Sequence, residues 1–405
     1  MPEIRDTTVL IFGAGASKAS GTPLTNEILW KAFCDADVIE ELNRHTDRAI
    51  DLEKVHYCLT EHFHIPELDP SKDDFPSLTL LLSILDLSIN RNRPFPASEK
   101  YPSGLSREEL AHARASIEYI IFAVLDYYIQ RPTGHAQRDL ISHPGVADRA
   151  QGPQIISLNY DVIADTTLCQ LAQNALGDLG RVDYSCDVCT KAYTDGKPYG
   201  KLLKLHGSLN WLFCPGCQAL QVGMSANGKN IADSSMLKAL YDYRPLDEHY
   251  LCSKASCSAC QCEYCDTPLR PVMITPSFVK DYHNPHIQRV WYEAERLLRR
   301  CGRAYVVGYS LPDDDLEVIH LLRRGLEGCE SHNITVVTQG NDEAMYRRYV
   351  SLFGRDIDWR PEGLDEWMTK VGPGPTAAPT RKVAPRSVRP LTCDAVPDPG
   401  ASAQG

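Results

Sequence analysis

The chain has no run of about 18 apolar residues, the length a membrane-spanning helix needs, so no membrane association is expected. It has no surplus of positive charge. Its 42 Lys and Arg face 53 Asp and Glu, a formal net charge of -11, which argues against a broad nucleic-acid-binding surface and leaves room only for a local basic patch. It has no leader of basic, apolar and small residues, because the text enters a strand almost at once. The expected location is therefore cytoplasmic. No segment repeats. Cysteine, in contrast, is plentiful. Fifteen cysteines in a cytosolic chain are out of place as disulfides and call for another use.

The 405 residues leave room for one large domain or two ordinary ones. Short apolar runs read as buried strands at 7–12 (TTVLIF), 154–161 (QIISLNYD), 201–207 (KLLKLHG), 271–276 (PVMITP), 303–310 (RAYVVGYS) and 333–339 (NITVVTQ). Helical text separates most of them, and residues 36–150 are mostly helical, with apolar spacing clearest over 78–89 and 109–129. Strands alternating with helices predict an α/β fold with a Rossmann-like parallel sheet covered on both faces. Such sheets bind ligands beyond the carboxyl ends of their strands, so the polar residues at those ends are the candidates. After Val371 the text is rich in Pro, Ala and Gly and cannot bury enough surface to fold, which predicts a disordered tail over 371–405.

Gly13, Ala14, Gly15 and Ser17 follow the first strand and open a helix. Small residues there let backbone N–H groups approach a pyrophosphate, and the helix start favours its charge. The usual G-x-G-x-x-G pattern is broken, since Lys18 stands at the third glycine, so the loop equally suits a tight turn with no ligand. Asn159 and Asp161 end the second strand. Asn can orient a water or an amide. Asp can hold a carboxamide or ribose hydroxyl, or simply cap the helix that begins near Val162. His206 ends the third strand; it suits a general base, since its pKa lies near neutrality, and it also suits a structural role.

Four C-x-x-C pairs are present: Cys186/Cys189, Cys214/Cys217, Cys257/Cys260 and Cys262/Cys265. Two such pairs complete a four-cysteine structural zinc site, and their loop-like context favours metal over redox chemistry.

Taken in order, these motifs resemble the sirtuin family. Gly13 to Ser17, the Ser20-Gly21-Thr22-Pro23 turn, Asn159 with Asp161, His206-Gly207, and the pairs Cys214/Cys217 and Cys262/Cys265 before Leu269-Arg270-Pro271 all match. The resemblance covers residues 7–345. It implies NAD held by the glycine loop, with Asn159 and Asp161 near the nicotinamide and its ribose. It implies His206 as general base, a structural zinc on Cys214, Cys217, Cys262 and Cys265, and adenosine contacts from Gly308, Ser310 and Gln339. It organises the chain as a catalytic domain over 1–370, with a Rossmann core at 5–35, 150–212 and 271–345, a helical insertion at 36–150 and a zinc module at 213–270.

Departures set the expected reaction. Protein-deacylating sirtuins carry Asp-Phe-Arg after the Ser-Gly-x-Pro turn, where this chain has Leu24-Thr25-Asn26. They carry Phe-Gly-Glu after the Leu-Arg-Pro strand, where this chain has Thr275-Pro276-Ser277-Phe278-Val279. The wording is similar to the prokaryotic sirtuin-like NAD hydrolases of antiphage defence. The expectation is cleavage of NAD to nicotinamide and ADP-ribose, with a protein deacylase or ADP-ribosyl transferase as the alternative and a non-catalytic NAD-sensing or zinc-stabilised module as the third reading. A homo-oligomer and a defence-system partner protein are left open, as is a second zinc on Cys186/Cys189 and Cys257/Cys260, to which Cys252 could add a ligand.

Overall fold

The computed structural model describes residues 6–43, 52–66, 70–93, 101–146, 151–177, 180–189, 196–223 and 264–372 except position 314, with 95–97, 99, 261 and 262. Seven strands form one parallel sheet: β1 (Thr7–Phe12), β2 (Gln154–Ser157), β3 (Gly180–Asp183), β4 (Lys197–Lys204), β8 (Cys301–Val307), β9 (Ile334–Val337) and β10 (Asp358–Arg360). Their order is β10-β9-β8-β1-β2-β4-β3. Setting aside the edge strand β3, this is the doubly wound order of a Rossmann-like fold, and the winding reverses between β1 and β8. Thr-Thr-Val-Leu-Ile-Phe suits the central position: its last four side chains are fully buried, as a strand covered on both faces requires.

The register aligns the strand ends. Phe12 pairs with Ser157 and Val307, Ser157 with Lys204, and Val307 with Val337. Gly13, Leu158, Leu205, Gly308 and Thr338 therefore leave the sheet along one edge.

A second sheet corrects two strand expectations. The run expected at 201–207 stops at Lys204, and Gly207 turns the chain with φ +81°, where a Cβ would meet the Val272 carbonyl oxygen at 2.0 Å. From Gly207 the chain forms β5 (Gly207–Phe213), which pairs antiparallel with β6 (Leu220–Val222) and β7 (Arg270–Met273). The run expected at 271–276 is β7, and it lies outside the parallel sheet. Apolar content marks such a run as buried but does not say in which sheet. Conversely, β3 and β10 are too short and too polar to be read from pattern.

The helices are α1 (Ala14–Lys18), α2 (Ile28–Cys34), α3 (Ala36–Asn43), α4 (Leu52–Tyr57), α5 (Leu78–Asn90), α6 (Arg107–Ile129), α7 (Ala136–Ser142), α8 (Ile163–Leu176), α9 (Pro285–Arg299), α10 (Leu316–Gly325), α11 (Glu343–Phe353) and α12 (Leu364–Lys370). Local signals set the long ones. Ser77 caps α5 through the Leu80 N–H, and Ser106 with Glu109 forms a reciprocal cap on α6. Two apolar cores result. One lies about the parallel sheet. The other joins α2 to α6 and takes in Leu209, Leu212, Cys214 and Cys262. No helix among the described residues is long and apolar enough to cross a membrane. The expected tail beyond Gly372 lies outside the described residues.

Candidate active site

The glycine loop sits at the point where the winding reverses. Gly13 N–H donates to the Val307 carbonyl at 3.0 Å, and Gly15 N–H to the Gly308 carbonyl at 2.8 Å. A Cβ on Gly15 would lie 2.7 Å from the Gly308 Cα, and one on Gly308 would lie 2.0 Å from the Ala16 nitrogen. The glycines thus allow two loops to touch. The Gly13 and Gly15 amides are spent on that contact, so these residues offer a ligand space and not donors. Gly308 also holds φ +64°. Gly308→Ala is expected to cost about 2 kcal/mol or more through strain and overlap, read as a lowered denaturation midpoint. An unchanged midpoint would show that the two loops part easily.

Ser17, Asn159 and Asp161 are brought together. Asn159 Nδ2 donates to the Gly13 carbonyl and to Ser17 Oγ, both at 2.9 Å, and Ser17 Oγ donates to Asp161 Oδ2 at 2.6 Å. Asp161 Oδ1 also accepts the Ile163 N–H at 3.0 Å. The capping role foreseen for Asp161 is real, and its second oxygen still faces Ser17. These residues line one side of a solvent-open cleft with Ala14 and Thr22, while Ile28, Leu78, Ile121 and Leu125 of the helical core line the other. The helices therefore supply the apolar wall of the pocket.

His206 lies behind this cavity and does not line it. Its side chain is 12 % exposed. Nδ1 is 3.1 Å from the Leu158 carbonyl, which can only accept, so Nδ1 carries the hydrogen and Nε2 the lone pair. Nε2 is buried with no hydrogen-bond partner and stands 4.0 Å from Asp315 Oδ1. Burial above all, and Lys280 next to it, hold the imidazole below its usual 6.5, against the opposing pull of Asp315. The ring is a neutral base at neutral pH. Asp315 is fixed by Lys280 Nζ and the Tyr309 hydroxyl, each at 2.8 Å.

Below His206, Lys204 is fully buried at the end of β4. Its ammonium pairs with Asp165 Oδ2 at 3.1 Å and donates to the Asp161 carbonyl, while the Tyr184 hydroxyl donates to the other Asp165 oxygen. Sequence reading missed this group, because a Lys in a strand looks like a solvated face. Lys204→Met leaves Asp165 buried without its cation and is expected to lower unfolding stability by about 3–5 kcal/mol in denaturant titration. A loss under about 1 kcal/mol would mean that the pair does not hold the 161–165 turn.

Ser310 and Gln339 lie further along the same edge. Both are exposed; the Ser310 carbonyl accepts from Arg348, and Gln339 bridges to Glu362. Neither lines the cavity, and neither does Gly308. The 275–279 segment, which departs from the deacylase pattern, is pinned to the helices. Arg114 donates to Asp86 at 2.6 Å and to Thr275 Oγ1 at 2.8 Å. Ser277 Oγ donates to Asp86 at 2.7 Å, and the Phe278 N–H to Ser83 Oγ at 2.8 Å.

Cys214, Cys217, Cys262 and Cys265 converge, with all four sulfurs within 4.8 Å of one another. Tetrahedral zinc at about 2.3 Å from each sulfur separates sulfurs by about 3.8 Å, so the donor set and spacing fit zinc. The two pairs share one backbone device. In each, the residue after the second Cys, Gln218 or Asp266, has positive φ, and its N–H bonds back to the carbonyl of the first Cys. Hydrogen bonding from Thr267 also brings the Cys265 thiol down to about 6. Among the described residues Cys186 and Cys189 join no such cluster, and Cys252, Cys257 and Cys260 lie outside them.

No family model matches the chain, and no curated protein matches it. Among solved structures the neighbours are Sir2 enzymes. A Sir2 variant with a deacetylated p53 peptide and 3'-O-acetyl ADP-ribose is 14% identical over 90% of this chain and 94% of that one, with a TM-score of 0.37. A Sir2 complex with a p53 peptide and NAD+ is 14% identical over 90% and 93%, with a TM-score of 0.32. A Sir2 homologue mutant with 2'-O-acetyl ADP ribose is 13% identical over 89% and 88%, with a TM-score of 0.38. At these scores the likeness assigns no residue a role.

Proposed function

We propose that this chain is an NAD+ glycohydrolase that cleaves NAD to nicotinamide and ADP-ribose. The observation that carries the reading is the meeting of Ser17, Asn159 and Asp161 in one cleft at the reversal point of a Rossmann-like sheet, with a neutral imidazole bonded to the carbonyl of Leu158, which lines the same cleft. Nicotinamide leaves NAD as a neutral molecule from a cationic ring, so the bond needs no general acid. Ala14 and Ser17 border the pyrophosphate, with Gly13, Gly15 and Gly308 leaving it room. Ser310 and Gln339 face the adenosine half. Asn159 orients water and Asp161 the nicotinamide side. His206 takes the proton from that water or from a ribose hydroxyl. The ribose has to reach past Leu158, since Nε2 does not open into the cavity.

Two features support hydrolysis over deacylation. The segment at the acyl-groove position, 275–279, is engaged by Ser83, Asp86 and Arg114, and the helical core closes the cavity's apolar side. Water is then the available acceptor. In this reading residues 1–370 form the catalytic domain, with its insertion at 36–150 and its zinc module at 213–270. The protein acts in the cytoplasm as an antiphage effector that depletes NAD, alone or as an oligomer with a defence partner.

The test is NAD consumption by purified protein with and without an acetyl-lysine peptide, products separated by chromatography. Nicotinamide plus free ADP-ribose without peptide is the expected result. Nicotinamide release only with peptide, accompanied by acylated ADP-ribose, would overturn it.

A further inference from the structure

His206 is surrounded by more charge than a general base requires. Asp315 stands 4.0 Å from Nε2 and is half-way to a hydrogen bond it does not make. Lys280 holds the same carboxylate oxygen at 2.8 Å, and the Tyr309 hydroxyl holds the other. Asp315 and Lys280 are both nearly buried, with side chains 10% and 11% exposed. A pair so enclosed is costly unless its charges are matched. It comes from two loops distant in sequence, one after β7 and one before α10, and both loops meet at the imidazole. Among the described residues the remaining groups facing it are few. Glu317 of α10 is 3.6 Å from Lys280, the Leu158 carbonyl takes Nδ1–H, and the Tyr282 and Trp291 rings close the side.

We propose that Asp315 and Lys280 are positioning residues for His206, the carboxylate standing ready to balance the imidazolium and the ammonium holding it just short of Nε2 in the resting site. This inference rests on His206 as base. When a hydroxyl or water O–H bond breaks, the proton forms the new N–H bond at Nε2. The ring then carries one positive charge, with Nδ1–H still on Leu158. Asp315 is the carboxylate close enough to answer that charge. A hydrogen bond from the new N–H needs a movement of about 1 Å, from 4.0 Å to ordinary bonding distance. Lys280 opposes it, because the ammonium competes for the same oxygen. Asp315 and Lys280 thus push the imidazole in opposite directions, and the parallel shift of the acid limb of activity is what separates positioning from a structural pair.

The experiment is a histidine titration by NMR on the full chain carrying 15N-histidine, with the His206 signals assigned from His206→Gln. Asp315→Asn is expected to lower the His206 titration by about one pH unit, and Lys280→Met to raise it by a similar amount. Lys280→Arg, which keeps the charge, is expected to restore the wild-type value. Should Asp315→Asn not fold, Lys280→Met decides alone, because its shift has the opposite sign. A titration unmoved in both variants overturns the pairing whatever the activity. The same variants are then scored for nicotinamide release, where the acid limb of the pH profile should move in parallel. A shifted titration in a chain that never releases nicotinamide would leave the pairing standing and overturn the hydrolase reading.

Discussion

Replacing His206 with Ala is expected to reduce nicotinamide release by about 100- to 10,000-fold, the range for loss of a positioned general base. The Leu158 carbonyl would lose its Nδ1–H partner, but a backbone carbonyl at a strand end can turn to water, so folding should survive. Circular dichroism and the melting curve check that point, and chromatography of the products checks the rate. His206→Gln is the stricter variant, because it keeps a donor toward Leu158 and removes the base. Activity of His206→Gln within a few-fold of wild type would end the assignment. It would shift attention to Asp161, whose carboxylate lines the cavity directly. The pH profile adds a sign. Burial holds His206 below 6.5, so the neutral, active form persists as pH falls through 6.5, and the rate is lost only as pH drops through the lower folded value. A rate already halved well above pH 6.5 would point to another titrating group.

The largest effect on stability is expected from depriving the four-cysteine cluster of the zinc that its spacing fits. The four cysteines bring together two turns separated in sequence by residues 218–261, and Cys214 and Cys262 are buried in the helical core beside Leu209, Leu212 and Leu269. Without a cation the cluster crowds sulfurs that repel once ionised. Structural zinc sites contribute folding energy outright, so chelation or Cys217→Ser should cost several kcal/mol, about 5–10 °C in Tm. Elemental analysis should find about one zinc per chain. The loss should reach the helical wall of the pocket, because the cysteine turns pack into the same core as Ile28, Leu78, Ile121 and Leu125. Full melting stability in metal-free protein would show that the four cysteines only line a loop.

Much of this was readable from residue order. TTVLIF before Gly-Ala-Gly announces a central strand entering a tight turn, and Thr7–Phe12 is that strand. The apolar spacing of 78–89 and 109–129 matches α5 and α6 almost to the residue, because long amphipathic helices with Ser caps leave a strong local record. Spacing marked four C-x-x-C pairs as metal-ligand candidates, the resemblance chose Cys214/Cys217 and Cys262/Cys265 among them, and these two pairs converge in the fold. Asn159 and Asp161 follow β2, which ends at Ser157, and His206 follows β4, which ends at Lys204, so the expected strand ends lie two to four residues beyond the strands themselves.

What residue order could not decide is which surfaces meet. Whether PVMI joins the parallel sheet or the small antiparallel one depends on partners, and a short apolar run does not name them. Gly13 and Gly15 look like phosphate donors until Val307 and Gly308 are seen to accept their amides. Lys204, Asp315 and Lys280 look like surface charges on the page. Their burial, and the 4.0 Å gap to His206, arise from loops brought together by strand order. Local propensity and spacing therefore determined most of the strands, the long helices and the C-x-x-C pairs, because those signals lie within a few residues of one another. The pocket wall and the charges around His206 were decided by tertiary packing, because those contacts join residues tens to more than a hundred positions apart, 35 for Lys280 with Asp315 and 142 for Asn159 with Ser17.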